Sequence, residues 1–280
     1  PASETGLKDR IFEDRSDRWR GGVTGIPFWS ELKAQALKLG IGVRTFDFWN
    51  PKNRSQDDVL LVQNHPGETW LWRSFYFLKN IKGRGGFILA RRKFLRKNYK
   101  FFRKRVLWQG ESPMVVPYIY KHLDDLKRQG IYNKIFLLAR AEEGGFDYFN
   151  YYNYRSRSIK SPYFDNPKEK FLVMINTNAA PHSLKNEFYG ERLRAIRYFW
   201  EKGDLDLYGY GWDGIPRHPF YFHYKKYTAR AWRGITSDKL ETLSRYRFAL
   251  CFENCAFPGY ISEKIFDCLA ASAIPIYLGA

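Results

Sequence analysis

Cysteine and methionine are scarce in this chain of 280 residues, which holds three Cys and two Met. The three thiols, Cys251, Cys255 and Cys268, are odd in number and fall within one predicted strand, loop and helix. That distribution does not fit a disulfide framework, so it indicates buried structural thiols and favours a reducing compartment. No histidine pair at metal-ligand spacing lies near them, so the pattern predicts no metal site.

Long apolar runs and acidic residues are scarce as well. No stretch approaches the ~20 apolar residues that span a bilayer, and no signal peptide is evident. Lys and Arg number 47 against 29 Asp and Glu, a net charge of +18, which predicts a polyanionic partner such as nucleic acid, an anionic membrane, a phosphorylated glycolipid or a nucleotide. The chain starts at Pro1 and stops just after a predicted strand, so we expect both ends to be cut.

Strands alternate with helices in two series, and this alternation predicts an α/β fold with parallel sheets. The first series has predicted strands at 41–46, 58–62, 86–90, 105–109 and 134–138, and predicted helices at 31–39, 75–79 and 115–128. The second has predicted strands at 171–176, 205–208, 247–252 and 273–278, and predicted helices at 184–202, at 238–245 and after Ser262. Residues 141–170, rich in Tyr, Asn, Ser, Gly and Pro, are predicted to be a linker with one short strand, and 209–236 a loop. We therefore expect two domains, 1–165 and 166–280.

The most informative stretch is Tyr246–Gly279, YRFALCFENCAFPGYISEKIFDCLAASAIPIYLG. Its polar residues collect where a strand ends and a helix begins, the edge at which open α/β sheets bind ligands. Ser262 is the predicted N-cap, and a free helix N-terminus with Lys264 beside it suits a diphosphate. Glu263 could accept hydrogen bonds from sugar hydroxyls, and Tyr260 could stack or donate. A capped surface helix with ordinary charges is the alternative interpretation.

Other segments contain candidate functional residues with weaker sequence signals. Glu111 follows a predicted strand directly and is either a solvated loop residue or, if burial raises its pKa, a base for an acceptor hydroxyl. Lys185 and Arg192 either reach a phosphate or are exposed helix cations. The glycine-rich segment 208–212 follows a predicted strand and would let a ligand approach the backbone closely, but a plain turn is the favoured interpretation. Asp204 and Asp206 have the spacing of a metal motif, but they lie at the start of a predicted strand.

The run Arg91–Arg105 holds nine basic residues in fifteen. Phe94, Asn98, Phe101, Phe102 and Arg105 would share one face if the run were helical. The pattern is compatible with a solvated basic face or with an amphipathic helix on anionic lipid.

The closing stretch resembles the signature of glycosyltransferase family 10, the α-1,3/4-fucosyltransferases. Tyr246–Asn254 matches Y-[KR]-F-x-L-x-F-E-N, Gly259–Asp267 matches G-Y-[VI]-[TS]-E-K-[IL]-x-D, and Ile274–Gly279 matches [IV]-P-[IV]-x-x-G. Residues 171–213 are similar to bacterial members, and 106–113 to the segment that carries the family's proposed general base.

The resemblance implies a GT-B architecture of two facing Rossmann-like domains, the second incomplete in this chain. It implies inverting transfer of fucose from GDP-fucose to a saccharide hydroxyl, such as that of a surface glycan or lipopolysaccharide, with no essential divalent metal. Glu111 falls at the base position and Glu263 at a position that stabilises the transition state. Donor-binding positions fall on Asn254, Tyr260, Ser262 and Lys264. Lys185 replaces the family's Arg on the diphosphate, a role that Arg192 could take over.

Two alternatives stay open beside this interpretation. One is a GT-B enzyme with another nucleotide sugar, and the other is a basic module that binds polyanions or glycans. For an enzyme of the bacterial type we expect a cytoplasmic location, peripheral at the inner face of the membrane through Arg91–Arg105, with no nucleic acid as partner. A eukaryotic source would place it in the Golgi lumen.

Overall fold

The computed structural model describes residues 8–9, 12, 28–63, 93–137, 148–150, 160–219 and 221–279. They build two four-stranded sheets in which every strand pairing is parallel. The helix predicted at 75–79 and the strand predicted at 86–90 lie outside the described residues.

The first sheet has the strand order β1-β2-β3-β4. Its strands are β1 (Val59–Gln63), β2 (Lys104–Gln109), β3 (Lys134–Leu137) and β4 (Tyr148–Asn150). The core on this sheet is apolar and contains Leu60, Val62, Phe102, Leu107, Ile119, Leu123, Leu126, Tyr132, Ile135 and Leu137. These side chains recur at alternate positions of the strands and at helical spacing in the helices. The apolar pattern of the sequence therefore places them on the faces that form this core.

The strand predicted at 41–46 is wrong. Residues 41–45 have no regular structure, and Phe46–Phe48 form a 3-10 turn. The backbone N–H of Thr45 donates to Asp9 Oδ1 at 2.7 Å, and the Thr45 hydroxyl accepts from the Asp9 N–H at 2.9 Å. The segment therefore bonds to a side chain distant in sequence instead of to a neighbouring strand.

Short helices in the described part of the first half are α1 (Phe28–Lys38), α2 (Pro117–Lys121) and α3 (Leu123–Arg128), and residues 93–98 are helical as well. The single helix predicted at 115–128 is broken at His122, whose backbone angles (φ −123°, ψ 20°) are not helical. Pro117 is the first residue of α2, a position where the missing N–H of proline has no cost.

The basic run is not one amphipathic helix. Residues 93–98 are helical, Tyr99–Phe101 form a 3-10 turn, and Arg105 already belongs to β2. Phe94 and Phe102 pack on the Trp49 ring with centroids 5.6 Å and 4.7 Å away, inside the first core. The face predicted to be shared by these residues and Arg105 is therefore largely interior, while the cations Lys93, Arg96, Lys97, Lys100 and Arg103 are exposed.

The second sheet has the order β6-β5-β7-β8. Its strands are β5 (Lys170–Ile175), β6 (Leu205–Tyr208), β7 (Tyr246–Phe252) and β8 (Ile274–Leu278), all close to their predicted positions. Its two faces pack into separate cores. One contains Leu172, Met174, Leu193, Ile196, Leu205, Leu207 and Leu250, and the other Val173, Leu240, Leu243, Ala249, Cys251 and Cys268.

Four helices cover this sheet: α4 (Tyr189–Glu201), α5 (Lys225–Ala231), α6 (Lys239–Ser244) and α7 (Glu263–Ala270). The prediction that α4 starts at Leu184 is wrong, because the residues before Tyr189 pair with the loop after β7. Phe188 N–H donates to Asn254 O at 3.1 Å and Ala256 N–H to Asn186 O at 2.8 Å. Helix α5 was missed inside the segment predicted as a loop.

The two parallel sheets with their helices confirm the predicted α/β fold class, whereas the GT-B arrangement of the two units stays a prediction. The boundary at 165/166 stays a prediction. No helix in the described ranges has the length and hydropathy that a bilayer span requires.

Candidate active site

The candidate site lies where β2 and β7 end. Residues of both halves meet in one buried cluster of Met114, Tyr189, Cys255 and Tyr260, each no more than 9% exposed. Tyr120 from the first half also packs edge-on against Phe257 from the second, with ring centroids 5.8 Å apart. The strand-end loops of the two sheets are therefore in direct contact, as expected for ligand sites at the carboxyl ends of parallel strands.

Glu253 organises the start of α7. Its carboxylate is fully buried and accepts hydrogen bonds from Ser262 N–H at 2.7 Å and from the Ser262 hydroxyl at 2.7–2.8 Å. Ser262 is the N-cap of α7, as predicted, and its hydroxyl accepts from the Lys264 N–H. The prediction that this helix N-terminus is free for a diphosphate is wrong, because the protein's own carboxylate lies there. A buried carboxylate needs such partners to offset its lost hydration.

Lys264 is the cation of this cluster. Its Nζ donates to Glu253 Oε2 at 3.0 Å and to the Ser262 hydroxyl at 2.8 Å. Burial on its own would lower the pKa of Lys264, but the charges of Glu263 and Glu253 outweigh it and hold the pKa above its ordinary value. The ammonium is therefore charged, and two of its three N–H donors serve these two partners.

Glu111 is largely buried in the loop after β2. Its backbone carbonyl accepts from the Tyr120 hydroxyl at 2.9 Å, which holds the loop in place. Burial raises the pKa of the Glu111 carboxyl to about 7, with Lys264 lowering it and Glu263 raising it further. The two charges of α7 thus act on a carboxyl from the other half of the chain. A carboxyl with that pKa suits a general base at neutral pH.

Arg192 is not the exposed helix cation that one interpretation predicted. It is 3% exposed, and its Nη2 donates to Phe252 O at 2.9 Å, to Glu253 O at 2.7 Å and to Asn254 Oδ1 at 2.9 Å. It fastens the end of β7 and orients Asn254. Lys185, in contrast, is exposed on the loop before α4. The donor-binding role of both residues stays a prediction.

Tyr260 is 2% exposed and its ring is enclosed in the cluster between the two halves. Its hydroxyl lies 3.5 Å from Asn254 Nδ2. Burial, together with the charges of Glu253 and Glu111, raises the pKa of Tyr260, so the phenol stays protonated. With the ring enclosed, hydrogen bonding through the hydroxyl is the role that this geometry supports for Tyr260, rather than stacking.

Two buried pairs were missed by the sequence reasoning. Lys239 on α6 lies 2.8 Å from Asp267 on α7, and the side chains are 10% and 0% exposed. Glu187 accepts from Gly190 N–H at 2.8 Å at the start of α4 and lies 3.0 Å from His218 Nε2. Glu187 precedes Gly190 at capping distance, so its spacing contained a signal for the start of α4, whereas no local spacing signals the pair of Lys239 and Asp267.

Other candidate sites have structural partners. Asp206 binds Lys170, Tyr246 and Arg233 at 2.9, 2.8 and 2.6 Å, so its carboxylate serves the sheet. The three cysteines are buried free thiols. Within the described ranges no group of three or more His, Cys, Asp or Glu is placed to hold a metal ion.

Comparison with known proteins identifies the second half. The model of glycosyltransferase family 10 (fucosyltransferase), C-terminal part, matches residues 166–280. A segment of 43 residues, 15% of this chain, is 51% identical to alpha-(1,3)-fucosyltransferase FucT of Helicobacter pylori. Another of 41 residues, 14% of this chain, is 54% identical to human 4-galactosyl-N-acetylglucosaminide 3-alpha-L-fucosyltransferase FUT6. These segments span 9% and 11% of the two relatives' own lengths.

A solved alpha1,3-fucosyltransferase structure aligns with a TM-score of 0.46 at 18% identity, over 94% of this chain and 67% of that one. The family match rests on the half of the chain that carries Asn254, Tyr260, Glu263 and Lys264. Residues 166–280 therefore match the C-terminal domain of glycosyltransferase family 10.

Proposed function

We propose that this protein transfers fucose from GDP-fucose to a hydroxyl of a saccharide acceptor with inversion at the anomeric carbon. The observation that carries the proposal is Glu111, a carboxyl with a pKa of about 7 on which the charges of Lys264 and Glu263 act. A base at the acceptor and a cation at the leaving group are what an in-line displacement needs. The relatives named above are fucosyltransferases by description.

In this mechanism ionised Glu111 takes the proton of the acceptor hydroxyl while the oxygen attacks the anomeric carbon of fucose. The bond from that carbon to the diphosphate oxygen breaks, and GDP leaves with the bonding electron pair. Lys264 directs its remaining N–H to the diphosphate. Glu263 stabilises the positive charge that develops on the sugar ring. The proton ends on Glu111, from which solvent removes it.

The other site residues support the donor. Asn254, oriented by Arg192, and the hydroxyl of Tyr260 would hydrogen-bond the nucleotide sugar. Ser262 would act through Lys264, whose Nζ it contacts at 2.8 Å. Lys185 is exposed before α4 and would approach the diphosphate from solvent. Because side-chain cations can neutralise the leaving diphosphate, we propose that the enzyme turns over without a divalent metal.

We propose a bacterial surface glycan such as lipopolysaccharide as the acceptor, reached by a cytoplasmic protein at the inner face of the membrane. The net charge of +18 and the exposed cations of residues 93–103 support electrostatic attraction to an anionic surface. Binding of the protein to vesicles with and without anionic lipid tests this part separately from the chemistry.

The test of the reaction is release of GDP by the full chain from GDP-fucose in the presence of saccharide acceptors, without added metal. Glu111→Gln should lower turnover by about 10²–10⁴-fold, the usual contribution of a general base, with donor binding nearly unchanged. Glu241→Gln makes the same chemical change at an exposed position of α6 and should leave turnover unchanged.

Other outcomes separate the alternatives. Turnover of a different nucleotide sugar, with none of GDP-fucose, would keep the architecture and change the donor. Binding that falls steeply with salt and ignores Glu111→Gln would favour a basic binding module. Wild-type turnover by Glu111→Gln would remove Glu111 from the mechanism.

A further inference from the structure

The loop after β6 is fastened to the carboxyl end of β5, beside the candidate site. Trp212 Nε1 donates to Asn176 O at 2.6 Å, and Asn178 N–H donates to Tyr210 O at 2.9 Å. Gly209 has φ +131°, and a Cβ there would lie 2.0 Å from Asn176 O, so this approach of the two segments requires glycine. The segment predicted as a plain turn is therefore a closely packed loop at the ligand-binding edge of the sheet.

Arg217 lies in this loop, and its backbone is held by its own hydrogen bond and by the contacts of the next residue. Its N–H donates to the side chain of Asn178 at 2.9 Å, and Asn178, 3% exposed, also donates to Gly211 O at 2.6 Å. The next residue, His218, is buried and contacts Glu187 at 3.0 Å. Glu187 in turn forms a β-bridge with Cys255, in the loop that follows β7. Arg217 is thus held between the loops that follow β5 and β7.

The side chain of Arg217 has different surroundings from its backbone. It is exposed, and its Nη2 would lie 3.9 Å from a Cβ built on Gly211, an ordinary van der Waals distance, so the guanidinium lies beside Gly211 in the loop after β6. No Asp or Glu occurs between Gly214 and Ser237. Within the described ranges, no carboxylate forms an ion pair with Arg217, in contrast to Arg233, which binds Asp206 at 2.6 Å.

Two cations of the site are already engaged by protein acceptors, whereas Lys185 is exposed on the loop before α4. Arg192 is buried and donates to three oxygens at the end of β7, and Lys264 is paired with Glu253. The start of α7 is also occupied, by the carboxylate of Glu253. Because Glu111, Glu253 and Glu263 all contribute acidic groups here, a diphosphate needs a cation that is not neutralised by a carboxylate.

We propose that Arg217 is a diphosphate-binding residue of this site. The proposal rests on the function proposed above and adds a contact outside the signature Tyr246–Gly279. Arginine presents planar paired N–H donors that match phosphate oxygens, so it supplies the two-point contact that Lys185 cannot. Because the backbone of Arg217 is already fixed, only its side chain must be ordered when the donor binds. The exposed guanidinium can still extend toward the diphosphate.

The test is calorimetric titration of the full chain with GDP, GMP and guanosine. Arg217→Ala should weaken GDP binding by about 10- to 100-fold, as expected for a lost hydrogen bond to a charged group, and should leave guanosine binding unchanged. Arg217→Lys should recover part of the affinity, since it keeps the charge without the fork. Lys225→Ala removes one positive charge from the same acid-free segment, at the exposed start of α5, and should have little effect.

The outcomes distinguish this inference from the proposed function. If the wild-type protein binds GDP and Arg217→Ala binds it equally well, Arg217 is not a diphosphate ligand, whereas the proposed function stands. Equal weakening of GDP and guanosine would assign Arg217 to the nucleoside or to the fold and would overturn the inference. If the wild-type protein binds UDP and not GDP, the proposed donor fails. The same comparison of UDP with uridine in Arg217→Ala then still tests the diphosphate contact. Thermal melting of each variant identifies any loss of folding, and Arg217→Lys then provides the decisive comparison.

Discussion

Glu111→Gln should make the protein more stable at pH 8 while it removes activity. Burial holds the pKa of the folded carboxyl at about 7, against an ordinary value of 4.5. A carboxyl whose pKa is raised on folding contributes stability that is fully present below about pH 4.5 and is lost as the pH rises through about 7. The native protein therefore carries an unfavourable charge at Glu111 under the conditions in which a base is needed.

The size of this effect follows from the difference of about 2.5 between the two pKa values. At 1.36 kcal/mol for each pKa unit, ionisation of Glu111 costs the folded state about 3 kcal/mol at pH 8. Because Gln is neutral at every pH and close in shape, Glu111→Gln should raise the free energy of unfolding by up to about that amount at pH 8. The same linkage relation reduces the gain to about 1 kcal/mol at pH 5.

The assay is urea unfolding of the wild-type chain and of Glu111→Gln at pH 5, 6.5 and 8, with Glu241→Gln as the control for a surface carboxylate. The gain should grow with pH for Glu111→Gln and stay flat for the control. In parallel, wild-type kcat/KM should rise about tenfold per pH unit below pH 7 and level off above it. A stability gain independent of pH would refute the argument that burial raises the pKa of Glu111.

Two further variants test the cluster around α7. Lys264→Ala should weaken GDP binding by about 1.5–3 kcal/mol in calorimetry, whereas an unchanged affinity would count against a phosphate contact. Lys239→Met leaves the fully buried Asp267 without its ion partner and should lower the free energy of unfolding by about 3–5 kcal/mol. The double variant Lys239→Met with Asp267→Leu should recover most of this loss, and the absence of recovery would show that the pair is not the cause.

The second sheet was predictable because its strands are short buried runs between clear helix signals. β6 starts and ends where predicted, and β5, β7 and β8 differ by a residue at their ends. Cap chemistry was equally local, since Ser262 and Asp238 both accept from N–H groups of the first turn of their helices. Such features depend on neighbours within a few residues, which the sequence displays directly.

The wrong predictions concern segments that bond to or pack against residues distant in the sequence. Thr45 binds Asp9 in place of a strand neighbour, and the residues before Tyr189 bond to the loop after β7 instead of starting α4 earlier. One of two interpretations placed Phe94 and Phe102 on a lipid-facing helix, but they pack on Trp49, and that contact also removes them from water. Hydrophobic periodicity predicts which face of a segment is apolar, but it does not predict which residues or lipids cover that face.

The sequence alone determined the two α/β series, the N-cap of α7 and the family signature that places Glu263 and Lys264 at one strand end. Only the tertiary structure decided the state of these groups. It buries Glu111 beside the charges of α7, directs Glu253 into a helix N-terminus expected to be open, and turns Arg192 inward while the side chain of Arg217 stays exposed. The physical reason is that burial and electrostatic interaction depend on distances in space, which residues far apart in the chain set together.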